Sequence, residues 1–360
     1  MKQAALAILA GLLIGAAPAL APAPASLVRS DLLQTVDAPA LADYGLFDAA
    51  GRPAAGMQPY TLNTPLFSDG SEKARYVWMP PGAHADYRAA GALAFPVGTV
   101  LVKRFAFAAD QRQPGRGLRA VETRLLIRRA AGWAALSYVE QDGGAVLKRA
   151  GAKIAVAFTD AGGMRQAIEY SVPNQNQCKT CHQDGEAITP IGPTAGNLNG
   201  WMGANQLPAW AAAGRLAGLP AGGWPQLARW DDASQPLERR ARAYLAVNCG
   251  HCHSRAGFAS NSGLYLVPEE TDPAHLGVGK RPVAAGRGSG GHEFSILPGQ
   301  PGRSILLHRM TSTEPGIMMP QFGRSLVHTQ GAALIRAWIA AMPAATAPPA
   351  PATAAATAAP

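Results

Sequence analysis

The chain has 360 residues, of which 48% are hydrophobic, and a formal net charge of +9. This length can bury a full hydrophobic core without covalent help, which argues against a small scaffold held together by disulfides. Lysine and arginine are dispersed along the chain instead of being clustered on one element, so we predict no nucleic-acid partner.

The amino terminus has the pattern of an export signal. A charged start, Met1-Lys2-Gln3, is followed by an apolar run from Ala4 to Ala17 and by small residues at Ala23 and Ala25. This pattern predicts a cleavable signal peptide over residues 1–25. No cysteine follows the run as a lipid attachment point, and no later segment has the roughly 18 apolar residues of a membrane span. We therefore expect a soluble periplasmic protein with no membrane span.

Residues 26–170 are predicted to form a β-rich domain. Stretches rich in branched and aromatic residues cover residues 97–107, 122–128 and 133–139, and two further stretches, 153–158 and 167–172, flank a turn at 160–163. These signals predict an all-β, sandwich-like domain. It contains no cysteine and no evident catalytic cluster, so a scaffold or docking role is expected.

After Pro173 the pattern changes to helices and long loops. Residues 236–245 are helix-forming and run directly into Cys249, and residues 330–339 have apolar positions at helical spacing. We predict two mainly α-helical units, at residues 171–234 and 235–343, so that the whole chain is multidomain. Residues 344–360 contain only Ala, Pro and Thr and are predicted to be disordered.

All four cysteines lie in two copies of the pattern Cys-x-x-Cys-His. The first copy is Cys178, Cys181 and His182, and the second is Cys249, Cys252 and His253. Two thiols one helical turn apart can add to the two vinyl groups of one porphyrin, while the adjacent imidazole binds the iron. The pattern therefore predicts two covalently bound haem c groups with His182 and His253 as axial iron ligands.

Two other chemistries use paired cysteines. The four thiols could bind one zinc ion, but this hypothesis does not explain the histidine that follows both pairs. A thioredoxin-like dithiol needs only one pair. Haem attachment accounts for all six residues.

Longer stretches of the chain resemble known cytochromes. Residues from about 236 to 342, with Tyr244 before the second motif and Trp338 in a closing helix, look like a class I cytochrome c. From about Tyr60 to Ile339 the chain also resembles a poorly characterised bacterial family of dihaem c-type cytochromes. The resemblance rests on TPLFSDG at 64–70, YVW at 76–78, VPNQNQC at 172–178, PIGP at 190–193 and MPQFGRSLV at 319–327.

The resemblance implies further iron ligands. Met319, followed by Pro320, is the expected second ligand of the haem held by His253, and Met318 is the alternative. The first haem has no clear sixth ligand, and Met202 is a weak candidate. The loop at Gly192-Pro193 resembles the one whose backbone carbonyl accepts the ring N–H of the proximal histidine.

These features predict an electron-transfer protein that passes electrons between redox partner proteins, for example as a dehydrogenase-associated subunit. Four haem propionates would offset part of the +8 charge that remains without Lys2. No catalytic residue is predicted. Two alternatives remain: a peroxidase-like enzyme with an open first haem, and a module that binds a partner and carries haems.

Overall fold

The fold was analysed in a computed structural model that describes residues 27–200 and 205–343. The predicted signal peptide, the predicted disordered tail and Met202 lie outside these ranges. Within the described residues, no helix combines the length and apolarity that crossing a membrane requires.

Strands provide most of the regular structure. The described residues contain twelve strands: β1 (Gln58–Pro59), β2 (Glu72–Trp78), β3 (Ala85–Asp86), β4 (Val100–Ala108), β5 (Leu118–Arg129), β6 (Gly132–Gln141), β7 (Gly144–Leu147), β8 (Ala152–Thr159), β9 (Arg165–Val172), β10 (Gln183–Asp184), β11 (Ala187–Ile188) and β12 (Leu216–Ala217). They also contain seven α-helices: α1 (Ser30–Thr35), α2 (Gln175–His182), α3 (Ala195–Leu198), α4 (Gln206–Ala212), α5 (Leu237–Asn248), α6 (Ile305–Thr311) and α7 (Thr329–Ala340).

The central element is a six-stranded antiparallel sheet with the order β1-β2-β4-β5-β6-β7. The side chains of each strand alternate between the two faces of the sheet, because successive side chains point in opposite directions. On one face Val100, Val102, Leu125 and Ile127 pack with the amino-terminal residue Leu33 in a buried apolar cluster. The opposite face supports the residues that carry the cysteine motifs.

The strand predictions are confirmed. Strands β4, β5, β6, β8 and β9 cover the predicted stretches, and β8 and β9 form a hairpin. At its turn, Asp160 Oδ1 accepts hydrogen bonds from the backbone N–H groups of Gly162 and Met164. Strand β4 begins later than predicted because Gly98 has a φ of +97°, which an extended strand does not adopt.

The prediction of a sandwich-like domain followed by two mainly α-helical units is wrong. The regular structure is dominated by the six-stranded sheet, and the longest described helices, α5 and α7, have only 12 residues each. Helices α3 and α4 have four and seven residues and are too short to enclose a core by themselves.

The short helices after the first motif instead share a core with the sheet. Leu198 of α3 and Leu207 of α4 pack with Val77 and Leu101 from β2 and β4. The side-chain amide of Asn63 donates to the carbonyls of Gly196, Asn199 and Leu227. These short helices are therefore buried against the sheet and do not form the separate helical core that the sequence predicts.

The carboxy-terminal helices form a smaller core. Tyr244 and Leu245 of α5 pack with Ile335 and Trp338 of α7. The indole N–H of Trp338 donates to Glu238 Oε2 over 3.3 Å. The predicted helices at residues 236–245 and 330–339 are confirmed, and their packing fixes the end of α5, where the second motif begins.

Candidate cofactor site

Both cysteine motifs open onto one cavity, called here the shared cavity. Its volume of about 400 Å³ lies within the roughly 300–1,000 Å³ range of ordinary ligand pockets. The predicted site residues on its wall are Cys181, His182, Cys249, Cys252, His253 and Met319. Cys178 is buried next to this wall.

The first motif lies at the end of α2. Asn174 caps this helix by accepting from the backbone N–H of Gln177 over 2.9 Å, and Gln177 Oε1 accepts from the N–H of Asn174 over 3.0 Å. This reciprocal pair fixes the start of the helix. Cys178, Cys181 and His182 therefore occupy its last turns.

The second motif follows α5 as a tight turn. The N–H of Cys249 donates to the carbonyl of Leu245, and the N–H groups of Cys252 and His253 both donate to the carbonyl of Cys249. Gly250 is required in this turn, because a Cβ atom there would lie 2.6 Å from the carbonyl oxygen of Ala246. The two motifs thus reach similar spacing through different local structures.

Each motif histidine is held through Nδ1. His182 Nδ1 lies 2.8 Å from the carbonyl oxygen of Thr189, which can only accept. His253 Nδ1 lies 3.1 Å from Ser262 Oγ, and the Ser262 hydroxyl donates its hydrogen to the carbonyl of Ala259 over 2.6 Å. Both Nδ1 atoms are therefore donors, and Nε2 of each neutral ring keeps the lone pair that a metal requires.

The carbonyl that orients His182 differs from the predicted one. It belongs to Thr189, just before the PIGP sequence, and not to the Gly192-Pro193 loop. Burial also lowers the pKa of His182 and of His253 to about 4. Both imidazoles are consequently neutral at neutral pH, as metal ligands must be.

The two motifs are in direct contact. The side chains of Cys252 and His251 lie beside the Cys181 thiol and lower its pKa. The loops that follow the motifs are joined as well, since the N–H of Gly185 donates to the carbonyl of Ala256 over 2.9 Å. Two cofactors attached at these motifs would be immediate neighbours.

The two candidate methionines differ in their position relative to the shared cavity. Met319 lies on the wall of the shared cavity, whereas Met318 is not one of its lining residues. Arg324, itself buried, donates to the carbonyls of Met319, Ser312 and Leu326 over 2.8–3.0 Å. Hydrogen bonding therefore fixes the backbone of Met319, and the residue lies on the cavity wall.

Most of the other possible sixth ligands do not line the shared cavity. Of the described candidates His84, Met164, His275, His292, His308 and His328, His328 alone lines the shared cavity. Its Nδ1 lies 3.0 Å from the Tyr244 hydroxyl, and its ring stacks on Phe67 at 4.2 Å between centroids. His251, between the two cysteines of the second motif, also lies on the wall.

The contribution of the sheet to this site was not predicted from the sequence. Arg75, Lys103 and Arg124, on β2, β4 and β5, lie on the cavity wall. Alternating charged positions within otherwise apolar strands were a visible signal, but only strand pairing brings them together. Arg309 and Arg324 complete the set of five cationic side chains there, while none of the described lining residues is Asp or Glu.

These residues fit a covalently attached porphyrin. The wall is largely apolar, and Phe258 and Val283, which are 51% and 70% exposed, form part of it. Arg75 Nη2 is buried and has no hydrogen-bond partner among the described residues. An apolar macrocycle with carboxylates would cover the first pair and give Arg75 an acceptor.

Across residues 27–200 and 205–343, no group of three or more His, Cys, Asp or Glu side chains is arranged to hold a metal ion. A four-thiolate zinc site would need such a group.

Comparison with protein-family models, curated proteins and solved structures finds no match for the chain.

Proposed function

We propose that the protein is a periplasmic dihaem c-type cytochrome, of the kind its sequence resembles, that transfers electrons between redox partner proteins. The supporting observation is that both Cys-x-x-Cys-His motifs face one cavity, each with its histidine held through Nδ1. Covalently bound haem supplies a one-electron redox centre at its iron. The chain supplies attachment, orientation and exclusion of water.

The surroundings favour electron transfer over peroxide chemistry. A peroxidase needs an acid–base group beside the bound peroxide; the described cavity wall offers His251 and His328 for this role but no Glu or Asp. Met319, which lies on the cavity wall, would fill the coordination of the second iron and close that iron to small ligands. The contact between Cys181 and Cys252 supports an arrangement in which two redox centres serve one path.

The sheet also has a role under this proposal. Its β2, β4 and β5 strands form part of the cavity wall, so the β-rich part of the chain helps to enclose the cofactors. This accounts for the sheet without a separate partner-binding function.

The deciding experiment uses protein matured in a bacterial periplasm. Alkaline pyridine extracts are expected to contain two haems per chain, and electron paramagnetic resonance of the oxidised protein is expected to show two low-spin centres without peroxide turnover. Fewer than two haems per chain would contradict the cofactor assignment. A high-spin centre with peroxide turnover would instead support the enzyme.

A second prediction concerns Arg324, which acts as a positioning residue. Arg324→Gln removes several buried hydrogen bonds to backbone carbonyls and is expected to cost about 1–3 kcal/mol of unfolding free energy. The Met319 segment should loosen, so that the reduced protein gains partial carbon monoxide binding. Arg336→Gln, at an exposed position of α7, is the matched control. Equal carbon monoxide binding by both variants would rule out this positioning role.

A further inference from the structure

Three basic residues form a row across the cavity-facing side of the sheet. In the strand register Arg75 of β2 is opposite Lys103 of β4, and Lys103 is opposite Arg124 of β5. We call these three residues the basic row. All three line the shared cavity.

Such a row of positive charges destabilises the sheet unless a negatively charged group lies beside it. Like charges directly opposite one another on paired strands destabilise a sheet, and burying them adds a desolvation cost. Burial lowers the pKa of Lys103, and the neighbouring Arg75 lowers it further. The same effects lower the pKa of the adjacent Lys73 to about 7.

Glu122 attracts both Lys103 and Arg124, but it forms an ion pair only with Arg124. Arg124 forms a bidentate pair with the fully buried Glu122, at 2.6 and 2.8 Å, and Glu122 also accepts from the Tyr170 hydroxyl. Within the described residues neither Arg75 nor Lys103 forms an ion pair. Arg75 Nη1 donates to the carbonyl of Lys73, while its Nη2 is buried and unpartnered. The row therefore has two cations directed toward a cavity whose described wall carries no carboxylate.

We propose that the basic row is a carboxylate-binding site that holds the propionates of the haem attached at Cys178 and Cys181. This inference rests on the proposed function. The basic row is assigned to the first haem because Lys103 interacts electrostatically with His182, and Arg124 with Cys178. At the second motif, Arg309 interacts electrostatically with His253, and Arg324 with Cys249.

The test measures the reduction potentials of both haems in Arg75→Gln and Lys103→Gln. Each variant should retain two haems and lower the potential of the first haem, because removing a cation disfavours the added electron. The potential of the second haem, identified by its response to Met319→Ala, should change much less. Arg165→Gln, at an exposed position of β9, is the matched control and should change neither potential.

Titration of the wild-type protein with malonate separates the two possible sources of carboxylate. Propionates already bound to the basic row should leave both potentials insensitive to malonate. A saturable shift that Arg75→Gln abolishes would show an exchangeable free carboxylate and overturn the propionate assignment. If Arg75→Gln does not fold, Lys103→Met, with an apolar side chain suited to burial, replaces it in this comparison.

The outcomes also distinguish this inference from the proposed function. A haem count below two would contradict the cytochrome itself. Two haems whose potentials are unchanged in both basic-row variants would contradict the carboxylate site alone.

Discussion

Replacing His182 or His253 by alanine is expected to remove the normal low-spin spectrum of one haem and leave the other intact. Each ring is held through Nδ1, by the Thr189 carbonyl or the Ser262 hydroxyl, and so presents Nε2 to the cavity. Alanine has no nitrogen that could supply that lone pair. Pyridine haemochrome quantification and electron paramagnetic resonance of each variant measure the result.

His251 provides a matched control within the second motif. It lies two residues from His253, lines the same cavity and contacts the sulfur of Cys181. His251→Ala should keep two haems with histidine-ligated spectra, because the attachment pattern assigns iron binding to the position after the second cysteine. A two-haem spectrum that survives His253→Ala but is lost in His251→Ala would reverse the assignment of the ligand.

Local sequence patterns predicted the elements well. Strand β5 alternates Leu125 and Ile127 with Arg124 and Leu126, and this alternation reflects two faces in different environments. Helix α5 has apolar positions at helical spacing up to the second motif. Such periodicities depend only on neighbouring residues, so a single sequence is sufficient to find them.

Those local patterns did not predict which residues distant in the sequence come together in the fold. The contact between Cys181 and Cys252 joins residues separated by about 70 positions, and the basic row depends on the pairing of three strands. The dispersed arginines and lysines looked like ordinary surface charge in sequence order. Folding brings five of them to one cavity wall, and the proposed carboxylate site rests on this placement.

The error in fold class has the same origin. The cysteine motifs and their resemblance to class I cytochromes favoured independent helical units. However, α3 and α4 bury Leu198 and Leu207 against Leu101 of the sheet, so the residues after the first motif complete a core that begins in the β-rich part. Helix propensity does not show which surface a short helix will cover.

The Met319→Ala substitution is expected to open one iron to carbon monoxide and to lower its reduction potential. Met319 lies on the cavity wall, and its carbonyl accepts from Arg324 over 2.9 Å while its N–H donates to the carbonyl of Arg309. A thioether ligand raises the potential of a haem and fills its sixth position, and alanine can do neither. Carbon monoxide binding by the reduced protein should rise from none to one per chain if the first iron is also closed, or from one to two if it is open.

Met318→Ala is the matched control, because it removes the same side chain from the adjacent position, which does not line the cavity. It should leave carbon monoxide binding and both potentials unchanged. Opening of the iron by Met318→Ala, with none in Met319→Ala, would transfer the ligand assignment to Met318. Since Arg324 fixes the backbone on which both methionines lie, comparing Arg324→Gln with these two variants also separates loss of the sulfur from loss of its position.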